Sequence, residues 1–175
     1  MTIRSLALAP ALAALALAAT PARPALADAR PASPLDRLLG TWKATGTATM
    51  GPDQVRVAAT WTCKAVSAGA GVGCTLRLTG LPGMVYQETD LFGVDPGTAT
   101  MHWFSVTNAG EVHDHAATAY DGLTWRFAYA GSQDGKPTTE AITMVFGADG
   151  RTFKLTSEAT LAGAPVSSFA ITAHK

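Results

Sequence analysis

The sequence predicts an all-β protein: one closed, up-and-down antiparallel β-barrel of about ten strands, with a short N-terminal helix in front of it. Two observations carry that prediction. From Thr41 onward apolar and polar residues alternate with a period of two, in runs covering residues 41–50, 55–66, 72–79, 84–92, 98–107, 111–119, 123–130, 138–146, 152–160 and 166–174. Every separator between runs contains a glycine, most often beside Asp, Asn or Pro, as in Gly51-Pro52-Asp53, Asp95-Pro96-Gly97, Asn108-Ala109-Gly110 and Asp121-Gly122. That is hairpin chemistry. No stretch after residue 40 carries a helical period of useful length, so the runs form a meander with one buried face, and closure removes its exposed edges.

The first 27 residues stand outside this pattern. Arg4 supplies a positive start, Leu6 to Ala19 is a short Ala/Leu run cut by Pro10, and Ala25-Leu26-Ala27 is a small-x-small cleavage site. Residues 1–27 therefore read as a signal peptide, with a mature chain that begins at Asp28, is exported to the periplasm or beyond, and has no transmembrane segment. Its removal takes away Arg4 and Arg23 and no acid, which leaves 11 basic against 13 acidic residues. With that balance and no Lys/Arg cluster, nucleic acid is not an expected partner. Residues 28–34 (DARPASP) read as a leader arm with little structure, and residues 35–175 as one barrel domain.

Pro34 opens the short helical turn, Leu35 to Leu39, whose apolar side chains suit the cap of a barrel end. Gly40 permits a tight bend into the first strand, and Trp42 offers a large ring to plug the barrel there. In the next hairpin, Val55, Val57, Ala59, Trp61 and Cys63 share one parity, as do Val72, Cys74, Leu76 and Leu78. Folding about Ala68-Gly69 sets Cys63 opposite Cys74 on the apolar face, and in an exported chain a disulfide follows. Later strands separate cleanly, with Trp125, Phe127 and Tyr129 inward and Arg126 outward. The runs 84–92, 98–107 and 111–119 do not, because Tyr86, Glu88, Asp90 and Phe92 make one mixed face and His102, Phe104 and Val106 another. Mixed faces fit a barrel with a partly polar cavity, and irregular edge strands equally.

His102, His113 and His115 are the candidate metal ligands. A two-residue turn at Asn108-Ala109 would put all three on one face; a three-residue turn with Gly110 left-handed would turn His102 to the other, and Gly110 suits the second. A zinc-type site needs three or four convergent ligands, so hydrogen-bonded surface histidines are the favoured reading. Glu88 and Glu140 share the parity of large apolar neighbours. They either point into a cavity, where burial would raise a carboxyl pKa, or sit at strand ends and reach solvent, which is favoured. No nucleophile elbow, phosphate loop, HExxH or CxxC motif occurs.

Leu38-Leu39-Gly40-Thr41-Trp42, Phe92-Gly93-Val94-Asp95-Pro96, and Met101-His102-Trp103-Phe104 with Asn108-Ala109-Gly110-Glu111 resemble a bacterial family of small domains of unknown function. That family is related in pattern to the calycins, which comprise lipocalins, fatty-acid-binding proteins and nitrobindin-like barrels. The resemblance covers roughly residues 35–173. It implies a roughly ten-stranded barrel with a helical lid or plug and a small-molecule cavity, and it brings no reaction with it. Nitrobindin-like relatives hold haem through a late histidine; His174 is the residue so placed here, and neither haem nor any other cofactor is expected.

Together these features favour a non-enzymatic binding protein for a small apolar or amphipathic molecule. Its pocket is expected to be lined by Trp42, Trp61, Tyr86, Phe104, Trp125 and Phe127, with Glu88 and His102 as inward polar groups. A barrel enzyme using His102, His113 or Glu88 in acid–base chemistry is the alternative from another class. A filled barrel acting through its outer surface as an envelope interaction module is the third.

Overall fold

The computed structural model describes residues 33–175. The expected signal peptide, residues 1–27, and most of the expected leader arm lie outside them. Among the described residues ten strands follow one another: β1 (Gly40–Met50), β2 (Asp53–Val66), β3 (Gly71–Thr79), β4 (Tyr86–Asp95), β5 (Thr100–Thr107), β6 (Val112–Asp121), β7 (Thr124–Gln133), β8 (Lys136–Phe146), β9 (Thr152–Leu161) and β10 (Ala164–His174). Each pairs antiparallel with the next, and β10 pairs back onto β1, so the sheet closes and leaves no edge. The alternation along each strand becomes inside against outside. Two register shifts bend the wall, one at Ala117/Ala119 in β6 and one at Pro165/Ser167 in β10, where proline has no N–H to give the ladder. Among the described residues, no helix is long and apolar enough to cross a membrane.

One end of the barrel is plugged. The expected helix is instead a single 3-10 turn, Pro34–Leu38, held by i to i+3 bonds from Asp36 N–H to the Ser33 carbonyl and from Leu39 N–H to the Asp36 carbonyl. Only six residues separate Ser33, which caps the turn, from the strand that starts at Gly40, where φ is +114°, so a longer helix has no room. Pro34 opens this turn as the sequence suggested, and Ser33, read from sequence as part of a leader arm with little structure, caps it. Ser33 Oγ accepts from Leu35 N–H and the Asp36 carboxylate accepts from Ser33 N–H, a reciprocal cap. Leu35 and Leu38 are buried beneath it. The Trp42 indole donates to the Leu38 carbonyl at 2.7 Å, and the Lys175 ammonium lies 4.4 Å from the Trp42 ring while donating to the Arg37 carbonyl. The two chain ends of the domain thus fasten each other.

Above the plug the barrel is solid. Trp42, Phe92, Met101, Trp125, Phe127, Met144, Phe146 and Phe153 are all fully buried, with edge-on or tilted ring pairs such as Trp42–Phe153 at 4.8 Å and Trp125–Phe146 at 4.6 Å. Burying each such side chain contributes about 2–3 kcal/mol relative to leaving it in water. The Trp125 N–H lies within this aromatic packing and meets no hydrogen-bond acceptor among the described residues.

Cys63 and Cys74 are cross-strand partners of β2 and β3, both buried, and are joined by a disulfide with Cα atoms 4.1 Å apart. The bridge closes a short loop, with a sequence separation of 11. Reducing it is expected to lower the unfolding free energy by about 2–3 kcal/mol while the far-ultraviolet spectrum stays that of a barrel. Equal urea midpoints for the oxidised and the fully reduced protein would contradict this.

Candidate functional site

The packing stops halfway along the barrel axis. At the end opposite the plug, the inward positions of β1 to β10 enclose a cavity of about 280 Å3 that opens between the hairpin turns. One arc of its wall is aliphatic and aromatic: Leu76 and Leu78 on β3, Leu81 and Met84 in the following loop, Phe169 and Ile171 on β10, Leu155 on β9. The other arc is polar: Tyr86 and Glu88 on β4, Ser105 on β5, His113 and His115 on β6, Glu140 on β8. Trp61 and Trp103 lie between the two. A larger depression of about 620 Å3 lies on the threonine-rich outside of β2 to β5, but it is shallow and open to solvent, so the interior cavity is the better site.

Two polar clusters share the cavity. In the first, Asp90 is 1% exposed, and its two carboxylate oxygens accept one indole N–H each, from Trp61 and from Trp103, both at 2.7 Å. Glu88 stands two residues further toward the opening and hydrogen-bonds Asp90, while the Tyr86 hydroxyl donates to Glu88 Oε2 at 3.2 Å. Burial, together with the neighbouring carboxylate, holds Glu88 well above the usual carboxyl range. Burial also raises Asp90, to about 6, against the opposing effect of its hydrogen bonds from Trp103, Glu88 and Trp61. Because the indoles favour the ionised form of Asp90, the proton that the pair retains sits on Glu88 and is donated to Asp90. Burial, and then Glu88, push the Tyr86 hydroxyl far above its ordinary value, so it remains a donor.

The second cluster joins β6 and β8 across β7. His115, 2% exposed, is the cross-strand partner of Trp103 and donates from Nδ1 to the Trp103 carbonyl at 3.2 Å. Its Nε2 lies 2.9 Å from Glu140 Oε2, and His113 Nδ1 lies 3.5 Å from the same oxygen. The His113 ring stacks on Tyr129 at 4.0 Å. Burial alone would raise Glu140, but its bonds to the two histidines outweigh it and bring the carboxyl down to about 2. The bond to Glu140 raises His113 in turn, against burial.

Of the residues singled out in the sequence, Trp61, Tyr86 and Glu88 line the cavity. Trp42, Trp125 and Phe127 face inward but lie below it, in the filled half. Two of the expected pocket residues are corrected. His102 and Phe104 face outward, His102 bonded at 2.9 Å to Asp114 and Phe104 41% exposed, because β5 turns Met101, Trp103 and Ser105 inward. The register that decides this pairs Phe92 with Trp103. The turn at Asn108-Ala109-Gly110 is the three-residue form, with Gly110 at φ +85° and Thr107 bonded to Glu111, which places His102 on the face opposite His113 and His115. The histidine trio is thus replaced by His113, His115 and Glu140, and the two inner histidines are not surface residues. Glu88 and Glu140 point into the cavity rather than out at strand ends. His174 is exposed on the outside of β10, so it does not fit as a haem ligand within the barrel. Asp90 and Trp103 were not singled out; the signal was the parity that Asp90 shares with Phe92.

The chain has a calycin-like barrel. The S-type phycobiliprotein lyase CPES from Guillardia theta has a similar structure, with a TM-score of 0.54 over 81% of this chain and 89% of that one. At 11% sequence identity the likeness is one of fold. No protein-family model matches the sequence, and no curated protein matches it.

Proposed function

We propose that this is an exported, calycin-like binding protein that takes a small amphipathic molecule into the open half of its barrel. The cavity with two unlike walls carries the reading: an apolar part of the ligand lies against Leu78, Phe169 and Ile171, and a polar part meets Tyr86, Glu88 and His113. The disulfide and the Ala25-Leu26-Ala27 segment support export. A cavity also weighs against the filled barrel that acts only through its outside.

Native mass spectrometry of the protein expressed with its own leader tests both parts. The expected mass is that of a chain beginning at Asp28, with a retained small molecule or a titratable probe bound one to one. Anilinonaphthalene sulfonate is a suitable probe, because Trp61 and Trp103 at the cavity wall report its arrival. Ala159→Trp, which fills the cavity from β9, is expected to weaken that binding about tenfold or more without lowering thermal stability. Equal probe affinity in both proteins would rule the cavity out as the site.

A second reading is supported by the proton held between Glu88 and Asp90: an acid poised beside a ligand is what a general acid–base enzyme needs. Turnover of a bound compound that Glu88→Gln abolishes while binding persists would favour it over simple binding.

A further inference from the structure

His113, His115 and Glu140 bring their ligand atoms within 4.8 Å of one another at the cavity wall. Two imidazole nitrogens and one carboxylate oxygen form a donor set that suits first-row transition-metal ions better than calcium or magnesium, which favour oxygen alone. Around such an ion, with bonds of about 2.0–2.2 Å, ligand atoms stand roughly 3–3.5 Å apart. His115 to Glu140 at 2.9 Å and His113 to Glu140 at 3.5 Å already approach that spacing.

The hydrogen bonding adds a second, independent argument. The Trp103 carbonyl can only accept, so His115 Nδ1 carries a hydrogen and, in the neutral ring, Nε2 presents a lone pair. Across 2.9 Å from that lone pair is a carboxylate oxygen, which offers lone pairs as well. Something positive, a proton or a metal ion, has to lie between them. An imidazole anchored through its second nitrogen to a backbone carbonyl is also how metal-bound histidines are oriented. His113 is held in plane by its stack on Tyr129, and Tyr129 has space to lie there because a side chain at Gly131 would collide with its hydroxyl.

We propose that His113, His115 and Glu140 are the protein ligands of a divalent first-row transition-metal ion, bound at the cavity wall with its remaining coordination positions open to the cavity. The site stands whether or not the cavity also takes an amphipathic molecule. If both are present, the open positions give a ligand with an anionic or carbonyl oxygen a place to coordinate. Both cysteines are locked in the disulfide, so thiolate contributes nothing.

The test uses the untagged mature chain, stripped with chelator and titrated with Co2+, then with Zn2+ in competition. One equivalent of Co2+ per chain, a visible absorption band that Zn2+ abolishes, and a rise in melting temperature with Zn2+ are expected. Glu140→Gln and His113→Ala are each expected to weaken binding about a hundredfold, with folding checked by circular dichroism. Should His113→Ala fail to fold, Glu140→Gln, which keeps the shape of the side chain, decides the matter alone. His102→Ala, on the outer face, is expected to change nothing. Failure to take up one equivalent, equal affinity in folded Glu140→Gln, or loss of binding in His102→Ala would each overturn the assignment.

Discussion

Asp90→Ala is expected to destabilise the fold by about 2–5 kcal/mol, because it strips two buried indole N–H groups of their acceptor at once. Trp61 and Trp103 stand on β2 and β5, on either side of Asp90, and water has little access to any of the three. Asp90→Asn should cost less, since its amide oxygen still serves one indole while its NH2 faces the other. Urea denaturation of the three proteins gives the order, and an alanine variant within half of the smallest figure would mean that the indoles find other acceptors. The same carboxyl gives stability an unusual pH dependence. Its folded value of about 6 lies above its ordinary 3.8, so between those values the native state holds more protons than the unfolded chain, and stability rises as pH falls through that window. Glu88, raised by burial and by Asp90, and His113, raised by Glu140, act in the same direction. Glu140 opposes them: its contribution is present above 4.5 and is lost as pH falls toward about 2. A maximum in mildly acid solution follows. The urea midpoint should be higher at about pH 5 than at about pH 7.5, with the difference reduced in Glu88→Gln with Asp90→Asn. A higher midpoint at the more alkaline pH would contradict the assignment of the shared proton.

Gly46→Ala is expected to be at least as damaging, at about 3 kcal/mol or more, and to reduce the yield of folded protein. Gly46 sits in the middle of β1 opposite Ile171, on the seam where the first and last strands close the barrel. Its dihedrals are not the obstacle. A Cβ there would overlap the Ala170 carbonyl oxygen and lie 2.7 Å from Ile171 Cα and 2.9 Å from the Ala170 carbonyl carbon. All of these are backbone atoms, so nothing flexible can give way, and β1 and β10 would have to part. An opened seam exposes two unpaired strand edges, which invites association as well as unfolding. Gly93→Ala in β4, where nothing lies within 4 Å of the added carbon, is the control and should melt with the wild type. Coincident denaturation curves for Gly46→Ala and wild type would show that the seam tolerates the displacement.

Much of this architecture was legible before any coordinates. The strands announced themselves because a wall with one dry face imposes a period of two, and the turns did because glycine reaches backbone conformations that other residues avoid. Cys63 and Cys74 could be paired from parity and loop length alone. The site was less legible, and β5 shows why. His102, Phe104 and Val106 form as plausible an inner face as Met101, Trp103 and Ser105, so local pattern left the choice open. Pairing of Phe92 with Trp103 settled it, a contact between strands that no window along one strand contains. Glu140 meets His115 over a separation of 25 residues and with β7 between their strands, which only the curvature of the closed sheet brings about. The empty space was equally hidden: Trp42, Trp125 and Phe127 have the same inward parity as Trp61, yet they fill the plugged half and line nothing.

The sequence by itself determined the number and order of strands, the position of the turns, the disulfide and the plugged end, since each depends on residues that are neighbours along the chain or across one hairpin. The tertiary structure alone decided which face of the mixed strands turned inward, where packing gave way to a cavity, and which histidines met a carboxylate. Those outcomes depend on how ten strands share one enclosed volume, and a side chain's distance from the barrel axis is a property of the whole circuit rather than of its own strand.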